Sequence, residues 1–137
     1  MVKKTFPGNF KSLATISKFV IENAERVGFS ASEVYAIQTA VDEACSNIID
    51  HAYGGEDIGK IKIKIKEIEN GLRVVLRDKG EPFEPEEVPH PDISSMLETH
   101  KERGLGIYFM RQLMDEVTFE FSQSKGNKLT LIKYKGR

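Results

Sequence analysis

The chain has 137 residues, of which 30% are charged, and its formal net charge at pH 7 is -1. This length is sufficient for one domain with a hydrophobic core, so we treat residues 1–137 as a single domain. The near-zero net charge does not favour binding to nucleic acid or to a membrane surface. No apolar run approaches the length of a bilayer span, and the single cysteine fits a reduced, cytoplasmic protein.

The first predicted elements are a short strand and an amphipathic helix. Residues 3–7 predict an opening strand. Apolar residues then recur at helical spacing from about Lys11 to Val27, which predicts a helix, and Gly28 is typical of a helix stop.

The second predicted helix organises the rest of the chain. Ser30 followed by Glu33 has the pattern of a capping box, which predicts a helix start. A single apolar stripe then continues almost to Tyr53, and helical spacing places its members on one face. The stripe consists of Val34, Ile37, Val41, Ala44, Cys45, Ile48, Ile49 and Ala52.

The opposite face of this helix is the more informative one. Ala36, Ala40, Glu43 and Asn47 line up there, and Glu43 and Asn47 are one turn apart, so a carboxylate and an amide point the same way. The two alanines leave room for another group to approach. We therefore expect this helix to form the floor of a binding site.

A strand and a hairpin turn follow. Strict alternation from Lys60 to Ile68 predicts a strand with its isoleucines packed inward and its lysines in water. Such a lysine row also occurs in nucleic-acid-binding patches, but this row lacks interleaved aromatic residues, which favours a solvated sheet face. The pair Asn70-Gly71 predicts a two-residue hairpin turn.

The next predicted strand, Leu72 to Asp78, ends in a carboxylate on its core-facing side. A buried carboxylate is costly unless a donor binds it. Asp78 therefore either caps the following turn or accepts a hydrogen bond from a ligand. Gly80 allows the chain to bend sharply there, as the rim of a pocket requires.

The periodicity then stops in a proline-rich stretch of about 80–103, which is typical of a functional lid or of a disordered segment. Gly104 and Gly106 follow and open a third predicted helix. Glycines at a helix N-terminus expose backbone N–H groups to an anion, although such a pair equally marks a plain hinge. Residues 117–121 and 129–134 alternate as two further strands, joined by a turn around Lys125-Gly126-Asn127.

This order of elements predicts an α+β fold, a two-layer α/β sandwich in which helices cover one face of a mostly antiparallel, mixed sheet. The helix floor, the strand-end acid and the glycine-led helix then surround one cavity that suits a nucleotide. Asn47 would ligate Mg²⁺, while Gly104 and Gly106 would bind phosphate through their amides. Asp78 would accept a hydrogen bond from the exocyclic amine of adenine.

At these residues the chain resembles the Bergerat-fold (GHKL-type) ATPases, and within them the bacterial anti-sigma-factor serine/threonine kinases. Residues Val41–Tyr53 resemble the first conserved box of that family, and Asp78–Gly80 the second. Residues Arg103–Val117, with their Met-Asp-Glu-Val ending, are similar to the glycine box of the anti-sigma kinases. The resemblance covers nearly the whole chain.

The resemblance implies roles for individual residues. Glu43 would be the catalytic base and Asn47 the magnesium ligand. Many relatives have Gly-Thr before the last strand, where the threonine assists adenine binding; here Asn127 follows the glycine, and Thr130 is the threonine nearby. By the resemblance, the nucleotide-binding residues are Asp78, Gly80, Arg103, Gly104, Leu105, Gly106 and Thr130.

The resemblance also implies a function. We expect an ATP- and Mg²⁺-dependent serine/threonine kinase that phosphorylates an anti-anti-sigma (STAS-type) protein and sequesters a sigma factor in the cytoplasm. No direct contact with nucleic acid or membrane is expected, and whether the protein forms a homodimer stays open. Two alternatives are a non-catalytic, nucleotide-gated binding module and a core domain without a ligand. The second alternative leaves Asn47 and Asp78 unexplained, and Glu43 argues against the first because binding alone needs no base.

Overall fold

The computed structural model describes residues 1–82 and 102–136, with the backbone alone at 102–105. Nearly all of the predicted lid of about 80–103 therefore lies outside the described residues. The described elements are β1 (Val2–Pro7), α1 (Ser12–Val27), α2 (Ala31–Asn47), β2 (Lys60–Ile68), β3 (Gly71–Asp78), α3 (Glu102–Leu113), β4 (Glu116–Ser122) and β5 (Gly126–Tyr134). A π-helical turn, Ile48–Ala52, directly continues α2.

The five strands form one sheet in the order β1-β2-β3-β5-β4, and all four neighbouring pairs are antiparallel. Helix α1 packs beside α2, and α2 packs beside α3, so the helices form a layer against the sheet. The predicted α+β two-layer fold is confirmed. No helix in the described part of the chain is both long enough and apolar enough to cross a membrane.

The core lies between the helix layer and the inner face of the sheet. The predicted alternation in β2 is confirmed, because Ile61, Ile63 and Ile65 are at most 2% exposed while the lysines between them are exposed. The predicted stripe of α2 is buried as well. Cys45, which belongs to it, is fully buried, and burial raises the pKa of its thiol well above the usual range, so it remains a neutral core residue.

The predicted capping box at the start of α2 is present. The Ser30 hydroxyl accepts a hydrogen bond from the Glu33 amide at 3.2 Å, and the Glu33 carboxylate accepts one from the Ser30 amide at 2.8 Å. The second oxygen of Glu33 accepts a bond from the Gly136 amide at 2.7 Å, which ties the C-terminal end of the chain to α2. These bonds lower the pKa of the Glu33 carboxyl, the Ser30 amide contributing most.

Both hairpin turns differ from the prediction by a small shift. Ile68 pairs with Gly71, so residues 69–70 form the first turn and Asn70 adopts the left-handed conformation at φ 57°. Gly71 instead begins β3, where any side chain would collide with the Lys133 carbonyl of β5. In the second hairpin residues 123–125 form the turn, so Asn127 lies within β5 rather than in the loop.

Candidate functional site

A cavity lies between α2, α3 and the inner face of β3, β4 and β5. It contains about 490 Å³ of empty space, including its open mouth. Asn47 from α2 and Asp78 from β3 both line it, and Met110 and Leu129 contribute apolar walls. The structure thus brings together two residues that the sequence predicted for one site, although they are 31 positions apart in the chain.

Asp78 ends β3 with its side chain only 5% exposed. Its Oδ1 accepts hydrogen bonds from the Gly80 amide and from Asn127 Nδ2, each at 2.8 Å. Burial raises the pKa of this carboxyl, and the two hydrogen bonds partly offset that effect. Among the described residues no donor reaches Oδ2, so Asp78 caps the bend with one oxygen, while the residue also lines the cavity.

The bend that follows β3 is fixed by backbone hydrogen bonds. The Lys79 amide donates to the Tyr53 hydroxyl at 3.0 Å, and the Glu81 amide donates to the Ala52 carbonyl at 2.7 Å. Gly80 lies so close to the Ala52 backbone that any side chain would collide with it. The predicted pocket rim is therefore held against the end of the α2 segment.

Asn127 belongs to this arrangement, although the sequence analysis did not assign it to the site. It is the cross-strand partner of Asp78 in the sheet register, and its Nδ2 also donates to the Glu81 carbonyl at 2.9 Å. The alternation of β5 could have identified it, because Leu129 and Leu131 point to the core and Asn127 has the same parity.

Thr130 is not brought to the site. It lies between Leu129 and Leu131, which are buried on the inner face, and its side chain therefore points to the outer face. There it is the register partner of Val75 and Thr118. The adenine contact predicted for Thr130 is withdrawn, because the sheet separates this side chain from the cavity.

At the other end of the site, Glu43 and Asn47 are half-buried on the surface of α2. A Cβ atom placed on Gly106 of α3 would lie 2.9 Å from Glu43 Oε2 and 3.3 Å from Asn47 Nδ2. The Glu43 carboxylate is the flexible end of its side chain, so a larger residue at position 106 would push it and Asn47 aside, whereas glycine leaves both where they are. Three predicted site residues, Glu43, Asn47 and Gly106, are thus neighbours.

The two glycines of α3 occupy different positions in the helix. The helix begins at Glu102, so Gly104 lies in the first turn, where N–H groups have no partner within the helix. Gly106 lies two residues further on, where the amide normally bonds within the helix. The phosphate contacts predicted for Gly104 and Gly106 and the nucleotide contacts predicted for Arg103 and Leu105 stay predictions.

Two adjacent carboxylates in α2 have different surroundings. Asp42 accepts hydrogen bonds from Ser17 at 3.0 Å and from Gln38 at 3.4 Å, so it is tied to α1. Its burial raises the pKa of the carboxyl, and these bonds partly offset the effect. Glu43 instead faces the start of α3 beside Asn47. Of the two, Glu43 is the carboxylate next to Asn47, although it is not among the described residues that line the cavity itself.

The residues present fit a magnesium ion. Mg²⁺ prefers oxygen donors and commonly takes only one or two from the protein, completing its shell with phosphate oxygens and water. Asn47 lines the cavity with an amide, and the Glu43 carboxylate is next to it. The π-helical turn begins immediately after Asn47, and such turns are frequent at functional sites.

The fold and the site together are those of an ATP-binding domain, and the comparisons agree. Residues 6–133 match the family described as histidine kinase-like ATPase domain, and the chain belongs to this family. It is 31% identical over 137 residues to the serine-protein kinase RsbW of Bacillus thuringiensis, a match that covers 97% of this chain and 84% of the relative. A serine-protein kinase RsbW of Bacillus cereus matches equally well. The resemblance predicted from the three boxes is confirmed.

Solved structures show the same fold at lower identity. The RsbU and RsbW domains of Rv1364c from Mycobacterium tuberculosis superimpose with a TM-score of 0.69 at 17% identity, over 97% of this chain and 31% of that one. The catalytic domain of histidine kinase ThkA gives 0.59 at 17% identity, over 98% and 97% of the two chains. The SiaB-SiaC complex from Pseudomonas aeruginosa gives 0.60 at 12% identity, over 97% and 88%.

Proposed function

We propose that the protein is an ATP-dependent serine/threonine protein kinase. The observation that supports this most directly is a cavity in which a buried strand-end carboxylate, Asp78, faces the same space as Asn47. Glu43 lies one helical turn from Asn47, where a base could act. Relatives that the match covers to 84% of their length carry the name serine-protein kinase.

Adenine would bind at the Asp78 end of the cavity. The second oxygen of Asp78 would accept a hydrogen bond from the exocyclic amine, while Met110 and Leu129 would contact the ring. Guanine has a carbonyl oxygen at the corresponding position, and two acceptors facing each other in a buried site repel. The site should therefore bind ATP in preference to GTP.

The triphosphate would extend toward α2 and the start of α3. A magnesium ion held by Asn47 would neutralise phosphate charge and orient the γ-phosphate when bound. The first-turn amides of α3, including that of Gly104, would donate to phosphate oxygens at the positive end of the helix dipole. Arg103 and Leu105 belong to the same turn.

In the transfer step, the hydroxyl oxygen of a serine or threonine on a partner protein forms a bond to the γ-phosphorus. The bond between that phosphorus and the bridging oxygen breaks, and ADP leaves with the electron pair. Glu43 accepts the proton that the hydroxyl loses. The chain's own contribution is thus to position the two reactants and to hold this proton.

We infer from the resemblance that the phosphorylated partner is an anti-anti-sigma protein of the STAS type, and that the unmodified kinase sequesters a sigma factor. The protein would work in the cytoplasm without contacting nucleic acid or membrane directly. A homodimer is compatible with this function but is not required by the site.

The second candidate function, a nucleotide-gated binding module, is favoured by one observation. Gly106 packs against Glu43 and Asn47, where a triphosphate and its metal would also have to fit. Nucleotide binding would therefore displace the start of α3, and that movement could transmit a signal without any phosphoryl transfer. Protein binding that depends on nucleotide, without modification of the partner, would distinguish this function.

Incubation with labelled ATP, Mg²⁺ and candidate STAS-domain proteins of the same organism tests the proposal. We expect label on one of these proteins, no label when its acceptor serine or threonine is replaced by alanine, and no transfer from GTP. If no STAS-domain protein is labelled while a sigma factor binds only in the presence of nucleotide, the gated module is correct and the kinase proposal is wrong.

A further inference from the structure

The face of the sheet that points away from the helices is strongly basic. On β2 the outward positions alternate with the buried isoleucines, and the same alternation holds on the strands beside it. These side chains line two adjoining depressions on the outer surface. We call the following seven residues the basic face: Lys3, Lys62, Lys64, Lys66, Arg73, Arg77 and Lys128.

The strand register places like charges directly opposite each other. Arg77 has Lys62 as its partner on one side and Lys128 on the other, and Lys66 is opposite Arg73. Like charges in such positions destabilise a sheet. Within the described part of the chain, no side chain of the basic face makes a hydrogen bond or an ion pair that would offset the repulsion between these paired charges. The stability of the fold therefore gives no reason for this arrangement.

We propose that the basic face docks an acidic protein. The net charge of the whole chain is -1, so the positive charge is concentrated here and the remaining surface would repel a polyanion. The adjoining strand β4 places Glu120 opposite Lys128 on the same outer face. A surface with both signs in register suits the charge pattern of a protein, whereas a continuous phosphate backbone would meet repulsion at Glu120.

The centre of the basic face supports a protein partner over a nucleic acid. Val75, Thr118 and Thr130 line the larger depression together with the basic residues. These small side chains resemble the weakly polar centre of a protein interface surrounded by a charged rim. They present no aromatic ring on which a nucleotide base could stack.

The spacing of the charges indicates the form of the partner. Lys62, Lys64 and Lys66 occupy alternate positions of one strand, so they repeat about every 6.6 Å. Alternate residues of any extended segment repeat at the same interval, so a strand with acids at every second position would match them. Two copies of this chain facing each other would instead bring lysine rows together, which disfavours this face as a symmetric dimer interface.

The test uses a labelled ten-residue peptide of alternating glutamate and threonine, with ten-nucleotide single-stranded and duplex DNA as competing probes. We expect the full chain to bind the peptide more tightly than either DNA probe at physiological salt. The double variant Lys62→Glu/Lys66→Glu should weaken peptide binding by about tenfold or more. The matched control Lys11→Glu/Lys18→Glu makes the same charge change at exposed positions of the first helix region and should bind the peptide almost as wild type does.

Thermal unfolding supplies an independent readout. The double variant replaces two like-charge cross-strand pairs by opposite-charge pairs, so its unfolding temperature should not fall. Loss of peptide binding with an intact fold supports the proposal. Tighter binding of either DNA probe, an equal loss in the control variant, or no peptide binding by the wild type would overturn it. The nucleotide site lies on the other face of the sheet and shares only Lys128 and Glu120 with this surface, and neither is changed in the variants, so none of these outcomes depends on the proposed kinase activity.

Discussion

At the β3 end of the cavity Asp78 is held by hydrogen bonds from Gly80 and Asn127, and the adjoining bend is bonded to the end of the α2 segment. At the α2 end, Glu43 and Asn47 lie beside Gly106 of a neighbouring helix. The first end is a hydrogen-bonded network between adjacent strands. The second depends on how two helices pack.

This contrast indicates how the two ends should behave. Hydrogen-bonded strand ends are ordered before a ligand arrives, so the β3 end can recognise a base at little additional entropic cost. Helix packing can adjust by small shifts, so the α2 end can change when a triphosphate and its metal bind. Substitutions at the β3 end should therefore alter mainly affinity, and those at the α2 end should alter the rate of transfer, together with affinity where the metal is involved.

The largest effect is expected for Glu43→Ala. Loss of the proposed base should slow phosphorylation of the partner by about 10²–10⁴-fold while ATP affinity stays close to that of the wild type. The reduction could lie at the lower end of this range, because phosphoryl transfer depends more on positioning and charge than on proton removal. Rates from single-turnover assays and affinities from calorimetry check this; an unchanged rate would show that Glu43 is not the base.

Asp78→Asn should weaken ATP binding by about 1.5–3 kcal/mol, the usual contribution of a hydrogen bond to a charged group. The fold itself should not lose stability. Burial raises the pKa of Asp78, so its charge destabilises the folded state at neutral pH, and this penalty is relieved as the pH falls through that pKa. The asparagine variant lacks the charge, so calorimetry should detect weaker nucleotide binding while thermal unfolding is unchanged or shifted upward. A less stable variant would show that Asp78 serves the bend alone.

Asn47→Ala should lower affinity and rate together, by about 10–100-fold, because metal coordination contributes to both. Raising the magnesium concentration should restore part of the loss. Chelation of the metal should lower the ATP affinity of the wild type to that of the variant. The ATP affinity of the variant itself should change little when the chelator is added. If wild type and variant lose the same affinity on chelation, Asn47 does not hold the metal.

Local patterns in the sequence predicted most of the fold and part of the site. The capping box of Ser30 and the alternation of β2 are each determined by neighbouring residues, and both are confirmed. Alternation also placed Asp78 correctly on the inner side of its strand. The prediction that Thr130 contacts adenine was wrong. Thr130 was chosen because it lies near the position where many relatives have a threonine, although the buried leucines on either side of it already direct its side chain outward.

Other features depend on contacts between distant parts of the chain. The bond from Asn127 to Asp78 joins residues 49 positions apart, and it requires the register of β3 with β5. The register of these strands depends on the hairpin turns, and both turns lie slightly earlier in the chain than the sequence predicted. The close approach of Gly106 to Glu43 likewise follows from the packing of α3 on α2, which no local pattern specifies.

The smallest expected effect concerns Asn127 and appears mainly as a change in pH dependence. Asn127→Ala should weaken ATP binding at neutral pH by no more than about tenfold, since one hydrogen bond within the site is lost. That bond favours the charged form of Asp78 and so lowers its pKa against the effect of burial. Without it the pKa of Asp78 should rise further. Protonation makes Oδ2 a donor and a weaker acceptor for the adenine amine, so ATP affinity should begin to fall at a higher pH than in the wild type.

Calorimetric titrations with ATP from neutral pH down into the acid range check this expectation, because burial raises the pKa of the Asp78 carboxyl. Asp78→Asn is the matched control, because it keeps the bend but cannot titrate, and any pH dependence that remains in it belongs to the nucleotide or the metal. After that contribution is subtracted, the affinity curve of Asn127→Ala should lie at higher pH than the wild-type curve. Curves that coincide would mean that Asn127 does not stabilise the charged form of Asp78. The order of the β3 end would then come from the hydrogen bonds of the bend alone. The contrast with the α2 end would in that case depend on the close approach of Gly80 to Ala52 and not on the pairing of β3 with β5.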